Sequence, residues 1–161
     1  MSIPRTSLVR TQQRRPAAVW TFAVVLMFLG VTAAGGGIAM LSGFTPPDRW
    51  LDDIPLVAGW TVPGLVLVLI FGAGSLITAY GVLRRPSWAW LSGVEQLTGH
   101  HWSWAAGLLL GLGQMAWIAL ELAYLPDHSA LQVIYGSTGL LLVLVPMLPA
   151  VRRHLVAPAT R

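Results

Sequence analysis

Residues 102–153 read WSWAAGLLLGLGQMAWIALELAYLPDHSALQVIYGSTGLLLVLVPMLPAVRR. Two apolar runs meet at Leu125-Pro126-Asp127-His128, and each can supply the ~20 helical residues that cross a ~30 Å hydrocarbon core. A turn centred on residues 126 and 127 packs the runs antiparallel, which sets Gln132 at the depth of Glu121 and Gly139 at that of Gln114. At ~100° per residue, Gly107, Gly111, Gln114, Ile118 and Glu121 fall within about 80° on one face of the first run. Gln132, Tyr135 or Gly136, and Gly139 share a face of the second. An amide or carboxyl facing lipid costs on the order of several kcal/mol unless it is hydrogen-bonded, so these faces should turn toward protein. The expectation is a polar intramembrane cluster of Gln114, Glu121, Gln132 and Tyr135, with the helices packing through Gly107, Gly111 and Gly139. Small residues four apart let backbones approach where lipid removes the hydrophobic drive between helices.

Outward from this hairpin, the 161-residue chain is 55% hydrophobic and 10% charged, against roughly 25% charged for soluble domains. Charge-free windows at 16–47, 54–83, 102–120 and 129–151 give four spans, expected at about 17–41, 62–83, 102–124 and 129–151. Helices satisfy their backbone within one segment and so suit a bilayer. The fold class that follows is all-α: one transmembrane domain, a four-helix bundle running up-down-up-down.

The net charge of +4 is read through its placement. Arg5, Arg10, Arg14 and Arg15 precede the first span, Arg84 and Arg85 follow the second, and Arg152, Arg153 and Arg161 follow the fourth. Arg49 alone falls on the other side, beside Asp48, Asp52 and Asp53. This is the positive-inside pattern, giving cytoplasmic termini and two outward loops, and it disfavours a nucleic-acid partner. Tryptophan agrees: Trp20, Trp88, Trp90, Trp102 and Trp104 mark the inner interface, Trp50 and Trp60 the outer, and only Trp117 is mid-span.

Residues 1–15 are polar and without apolar period, and are expected to be a disordered cytoplasmic tail; residues 152–161 are expected to form a second cytoplasmic tail. Val31-Thr32-Ala33 resembles a signal-peptide cleavage site, but the apolar run continues past it, which favours a retained helix. In the second span Gly72, Ser75 and Ala79 form a small-residue face for the first helix. Ser87 is a candidate N-cap for a short cytoplasmic interfacial helix ending near Leu97, with Trp90, Val94 and Leu97 on its apolar face.

Glu121 has two readings: a proton-coupled or polar-ligand site with Gln114 deeper in the span, or an interhelical hydrogen-bond clasp with Gln132 or Tyr135. His100, His101 and His154 share the cytoplasmic end with Glu95, but no HxxxH or HExxH spacing occurs, so no metal or cofactor is expected. No cysteine is present, and no serine sits in a nucleophile setting, so no catalytic residue is assigned.

The segment Trp117-Ile118-Ala119-Leu120-Glu121-Leu122-Ala123-Tyr124-Leu125-Pro126, followed by Ser129-Ala130-Leu131-Gln132-Val133-Ile134-Tyr135-Gly136, resembles a group of small four-span bacterial membrane proteins. The resemblance covers about a third of the chain and implies that the last two helices form a shared hairpin. It carries over no activity, substrate or catalytic residue. The functional expectation is a non-enzymatic protein of a bacterial inner membrane, structural or accessory, whose partners are the bilayer and a second copy or a larger membrane complex. The alternative is a transporter or small-ligand receptor using Gln114, Glu121, Gln132 and Tyr135.

Overall fold

The computed structural model describes residues 15–51, 58–125 and 129–157. The expected tail apart from Arg15, the Pro126-Asp127-His128 turn and residues 158–161 lie outside the described residues. Four helices are long and apolar enough to cross a membrane: α1 (Ala17–Leu41), α2 (Thr61–Arg84), α4 (Trp102–Tyr124) and α5 (Ala130–Met147). Two short ones, α3 (Ser92–Thr98) and α6 (Pro149–His154), follow α2 and α5. The protein is therefore all-helical in its regular elements, with one isolated bridge, between His100 and Val156, among the described residues.

Local chemistry sets the ends. α1 stops at Gly43, whose φ of 96° suits glycine, and Phe44 N–H to Ala39 O (3.0 Å) with Gly43 N–H to Met40 O (3.3 Å) close the last turn. α2 begins with Pro63 in its first turn and stops at Arg85, which takes a left-handed conformation (φ 50°, ψ 51°) ahead of Pro86. Between them, Leu67–Ala73 form a π-helical stretch that the apolar pattern gives no sign of. α5 ends at Met147 rather than near 151. Pro149 excludes helical geometry at Leu148 (ψ 136°), and the chain restarts as α6 with that proline in its first turn. Ser87 is not a helix cap. A 3₁₀ turn, Ala89–Leu91, precedes α3, and Trp88 before it is extended, its indole stacked between those of Trp90 and Trp102.

The four long helices close on one another through small residues. A Cβ at Gly30 would meet Leu76, one at Gly37 would meet Gly64 O at 2.6 Å, and one at Gly72 would meet Ala34, so α1 and α2 are in backbone contact along their length. Gly81 faces the Trp102 ring and Gly74 faces Leu110, which joins α2 to α4. Gly111 faces Leu142 and the Gly139 carbonyl, joining α4 to α5. Gly107 receives the ring of Phe22 from α1, so it does not belong to the hairpin seam. Phe22, Leu26, Leu29, Val82 and Leu142 fill the interior and are fully buried. Large apolar side chains also cover the outer surface, with Val31, Leu109 and Val133 at least 60% exposed, which fits hydrocarbon as the surrounding solvent.

Two neighbouring glycines test this packing. Gly37→Ala pushes a methyl into the Gly64 carbonyl and Val68, and should cost about 1–3 kcal/mol. Gly36→Ala meets nothing within 4 Å and should leave the melting temperature in detergent unchanged or slightly raised.

Candidate functional site

Three of the four polar side chains of the hairpin go to separate partners, and the fourth, Gln114, lacks one at its Oε1. Glu121 Oε1 accepts the Trp117 indole N–H at 2.6 Å, one turn back on its own helix. Gln132 Oε1 accepts from Ser129 N–H (2.7 Å) and Ser129 Oγ–H (2.8 Å), completing a capping box at the start of α5. Tyr135 stacks on Phe28 of α1 with ring centres 6.2 Å apart. Gln114 is buried against Gly139 and its Oε1 has no hydrogen-bond partner among the described residues. Depth alone is thus a poor guide to pairing here. A local bond three or four residues away fixes fewer torsions than an interhelical one and satisfies the same atom.

The described polar groups concentrate instead at the end of the bundle where α2 finishes and α4 starts. Arg15 donates to Leu83 O (2.7 Å), supplying a partner to a terminal carbonyl of α2, and its guanidinium lies 5.8 Å from the centre of the Trp20 ring. Arg85 donates to Val156 O (3.0 Å). His101 N–H to Leu155 O (2.6 Å) and Ala157 N–H to Gly99 O (3.1 Å) stitch the segment after α6 to the α3–α4 connection. Leu155 and Val151 are fully buried beneath this stitch.

His101 is the centre of the arrangement and is 3% exposed. Its Nδ1 faces Ser103 N–H (3.4 Å) as the N-cap of α4 and Ser103 Oγ at 2.8 Å. An acceptor at Nδ1 puts the ring proton on Nε2, which donates it to Pro86 O at 3.1 Å. The Trp102 indole N–H reaches the same carbonyl at 3.2 Å. Glu95 Oε1 accepts Trp102 N–H (3.3 Å) and lies 3.8 Å from His101 Nε2. Burial holds His101 below its ordinary value of 6.5 and Arg85 adds to this, against the Pro86 carbonyl and Glu95. Burial also lowers His154, with Arg85 and Arg15 contributing.

Two cavities open here. One, of about 300 Å³, is lined by Arg85, Ser87, Glu95 and His101; the other, of about 290 Å³, by His100, Pro149, Arg152, Arg153 and Val156. His100 turns away from His101, with Nδ1 2.7 Å from Thr98 O and its ring stacked on Trp104. No three His, Asp or Glu side chains converge at metal-binding distance among the described residues. The sequence contains every member of this site, but their meeting depends on the segment after α6 folding back, which no local pattern announces. The chain matches no protein-family model, no curated protein and no solved structure.

The histidine geometry gives a sign for pH dependence. With a lowered value in the folded state, His101 contributes its full stability above about pH 6.5 and loses it as the pH falls through the lowered value, because the unfolded chain takes the proton first. His154 acts in the same direction. The protection factors of the Trp102 and Ser103 amides, taken relative to the intrinsic exchange rate at each pH, should therefore fall on acidification. His101→Asn, which keeps an N-cap acceptor, should remove His101's share of that dependence.

Proposed function

We propose that this is a non-enzymatic integral membrane protein of a bacterial inner membrane, structural or accessory in role, which packs with a second copy or within a larger membrane complex. In this reading the four long helices cross up-down-up-down with both termini in the cytoplasm, and α3 lies along the inner headgroups. The arginines at one end support that orientation, since Arg15, Arg85, Arg152 and Arg153 gather around the ends of α2 and α6. The observation that carries the functional reading is the filled interior. Phe22, Leu26, Leu29 and Leu142 occupy the centre with full burial, and glycine contacts close the seams on either side. A bundle packed in this way suits a scaffold better than a permeation path.

The second reading, a transporter or small-ligand receptor, is favoured by the unpartnered Oε1 of Gln114, which a polar guest would satisfy. Glu121, Gln132 and Tyr135 contribute less to it, being engaged elsewhere.

Because the chain has no cysteine, single introduced cysteines report cleanly. Cysteine at Thr45 should label from outside intact cells and cysteine at Gln96 only after lysis. Cross-linking in native membranes should give a dimer or a heavier adduct; a monomer both there and in mild detergent defeats the scaffold reading. Gln114→Leu should leave assembly unchanged, whereas under the transport reading it abolishes uptake in reconstituted vesicles.

A further inference from the structure

The cavity between α2 and α3 has an unusual lining: one cation, one anion, a hydroxyl and an imidazole, Arg85, Ser87, Glu95 and His101. At about 300 Å³ it is at the lower limit of small-ligand sites, roughly 300–1,000 Å³. Arg85 is the one non-glycine residue with positive φ among the described residues. Glycine takes that conformation without strain, so an arginine there holds its guanidinium at this spot against a backbone preference. One nitrogen, Nη2, donates to Val156 O, and a guanidinium has five N–H donors in all. Both contacts of Glu95 among the described residues use Oε1, which leaves Oε2 for an incoming donor. Arg85 and Glu95 line the cavity together with His101, and no ion pair within 4 Å joins the two to each other.

Next to this lining the Trp102 indole shares the Pro86 carbonyl with His101. The indoles of Trp90, Trp88 and Trp102 stack in a column, with centres 5.8 and 4.7 Å apart. Trp90 and Leu97 are 77% and 88% exposed. Indoles of this kind settle at the boundary between headgroups and acyl chains. A ligand that fits such surroundings carries a phosphate, a hydrogen-bonding cation and a hydrocarbon part.

We propose that this cavity binds the headgroup of a zwitterionic phospholipid bearing a primary ammonium, its phosphate on Arg85 and Ser87 and its ammonium on Glu95. The proposal rests on the reading that this end of the bundle lies among the headgroups. A fork of guanidinium N–H groups matches phosphate oxygens. A primary ammonium donates hydrogen bonds to the carboxylate, whereas a trimethylated one cannot. A glycerol headgroup keeps its phosphate on Arg85 but brings only hydroxyls, and no positive charge, to the Glu95 carboxylate. The neighbouring cavity, with Arg152, Arg153 and His100 and no carboxylate, has no means to prefer the ammonium and serves as an internal reference.

The test is native mass spectrometry of the full-length protein in micelles doped with phosphatidylethanolamine, phosphatidylcholine or phosphatidylglycerol. The intact protein should retain phosphatidylethanolamine about tenfold better than either other lipid, the scale of one charge-assisted hydrogen bond. Glu95→Gln keeps the acceptor for Trp102 N–H, so the fold is preserved, and it should bring the three lipids level. Arg85→Gly relieves the left-handed backbone while removing the guanidinium, and should weaken retention of all three. A preference that survives Glu95→Gln, or no preference in the intact protein, overturns the proposal. Displacement of the lipid by free O-phosphoethanolamine overturns the lipid assignment in favour of a soluble ligand. Cysteine labelling at Gln96, outside the cavity lining, reports the orientation separately, so failure of the topology is distinguishable from failure of the site.

Discussion

In hydrocarbon an apolar side chain gains nothing by leaving its surroundings for a neighbouring helix, so close approach of backbones is what holds a bundle of this kind. The glycine contacts meet that constraint at each seam. Gly37 lies against Gly64 and Val68, Gly81 against Trp102, Gly107 against Phe22 and Gly111 against Leu142. Each works as half of a pair in which one backbone withdraws and a neighbour advances. The partner differs from seam to seam: a carbonyl and a branched aliphatic between α1 and α2, an indole between α2 and α4, a phenyl ring and a leucine around α4. Crossings with such different fillings have little reason to interchange, so the contacts select one arrangement as well as hold it.

Polar groups follow a second rule, that the nearest adequate partner wins. Glu121 takes Trp117, Gln132 takes Ser129, and Thr78 and Thr138 bond to the carbonyls of Gly74 and Ile134 one turn back. Most long-range polar connections among the described residues occur at one end, through Arg15, Arg85, His101, Trp102 and Trp104, while the other end holds the Trp60 indole N–H on Asp48 Oδ1 at 3.2 Å. Strength and specificity are therefore divided: apolar shape across the middle, directed hydrogen bonds at the ends.

The four helices were legible because a charge-free window of some twenty residues has few other uses. The seam residues Gly111, Gly139 and Gln114 were legible from periodicity, because a hairpin with a short turn fixes depth. What periodicity cannot supply is the third dimension. Gly107 shares a face with Gly111 on a helical projection, yet it receives Phe22 from α1, the first of the long helices in the chain. The break at Leu148 could have been read from Pro149, since a residue before proline resists helical geometry. The stitch of Leu155 and Ala157 to His101 and Gly99 was hidden, since residues 152–161 after a span read as a tail.

That stitch fixes an order of events during synthesis. The chain emerges from the ribosome from its N-terminal end, so α2, α3 and α4 are complete before residues 155–157 exist. Until then the backbone N–H of His101 and the guanidinium of Arg85 lack the carbonyls they later hold, and the ends of α2 and α4 stand open to water. The bundle is thus finished by residues translated after all four long helices, which act as a latch dropped over helices already in place.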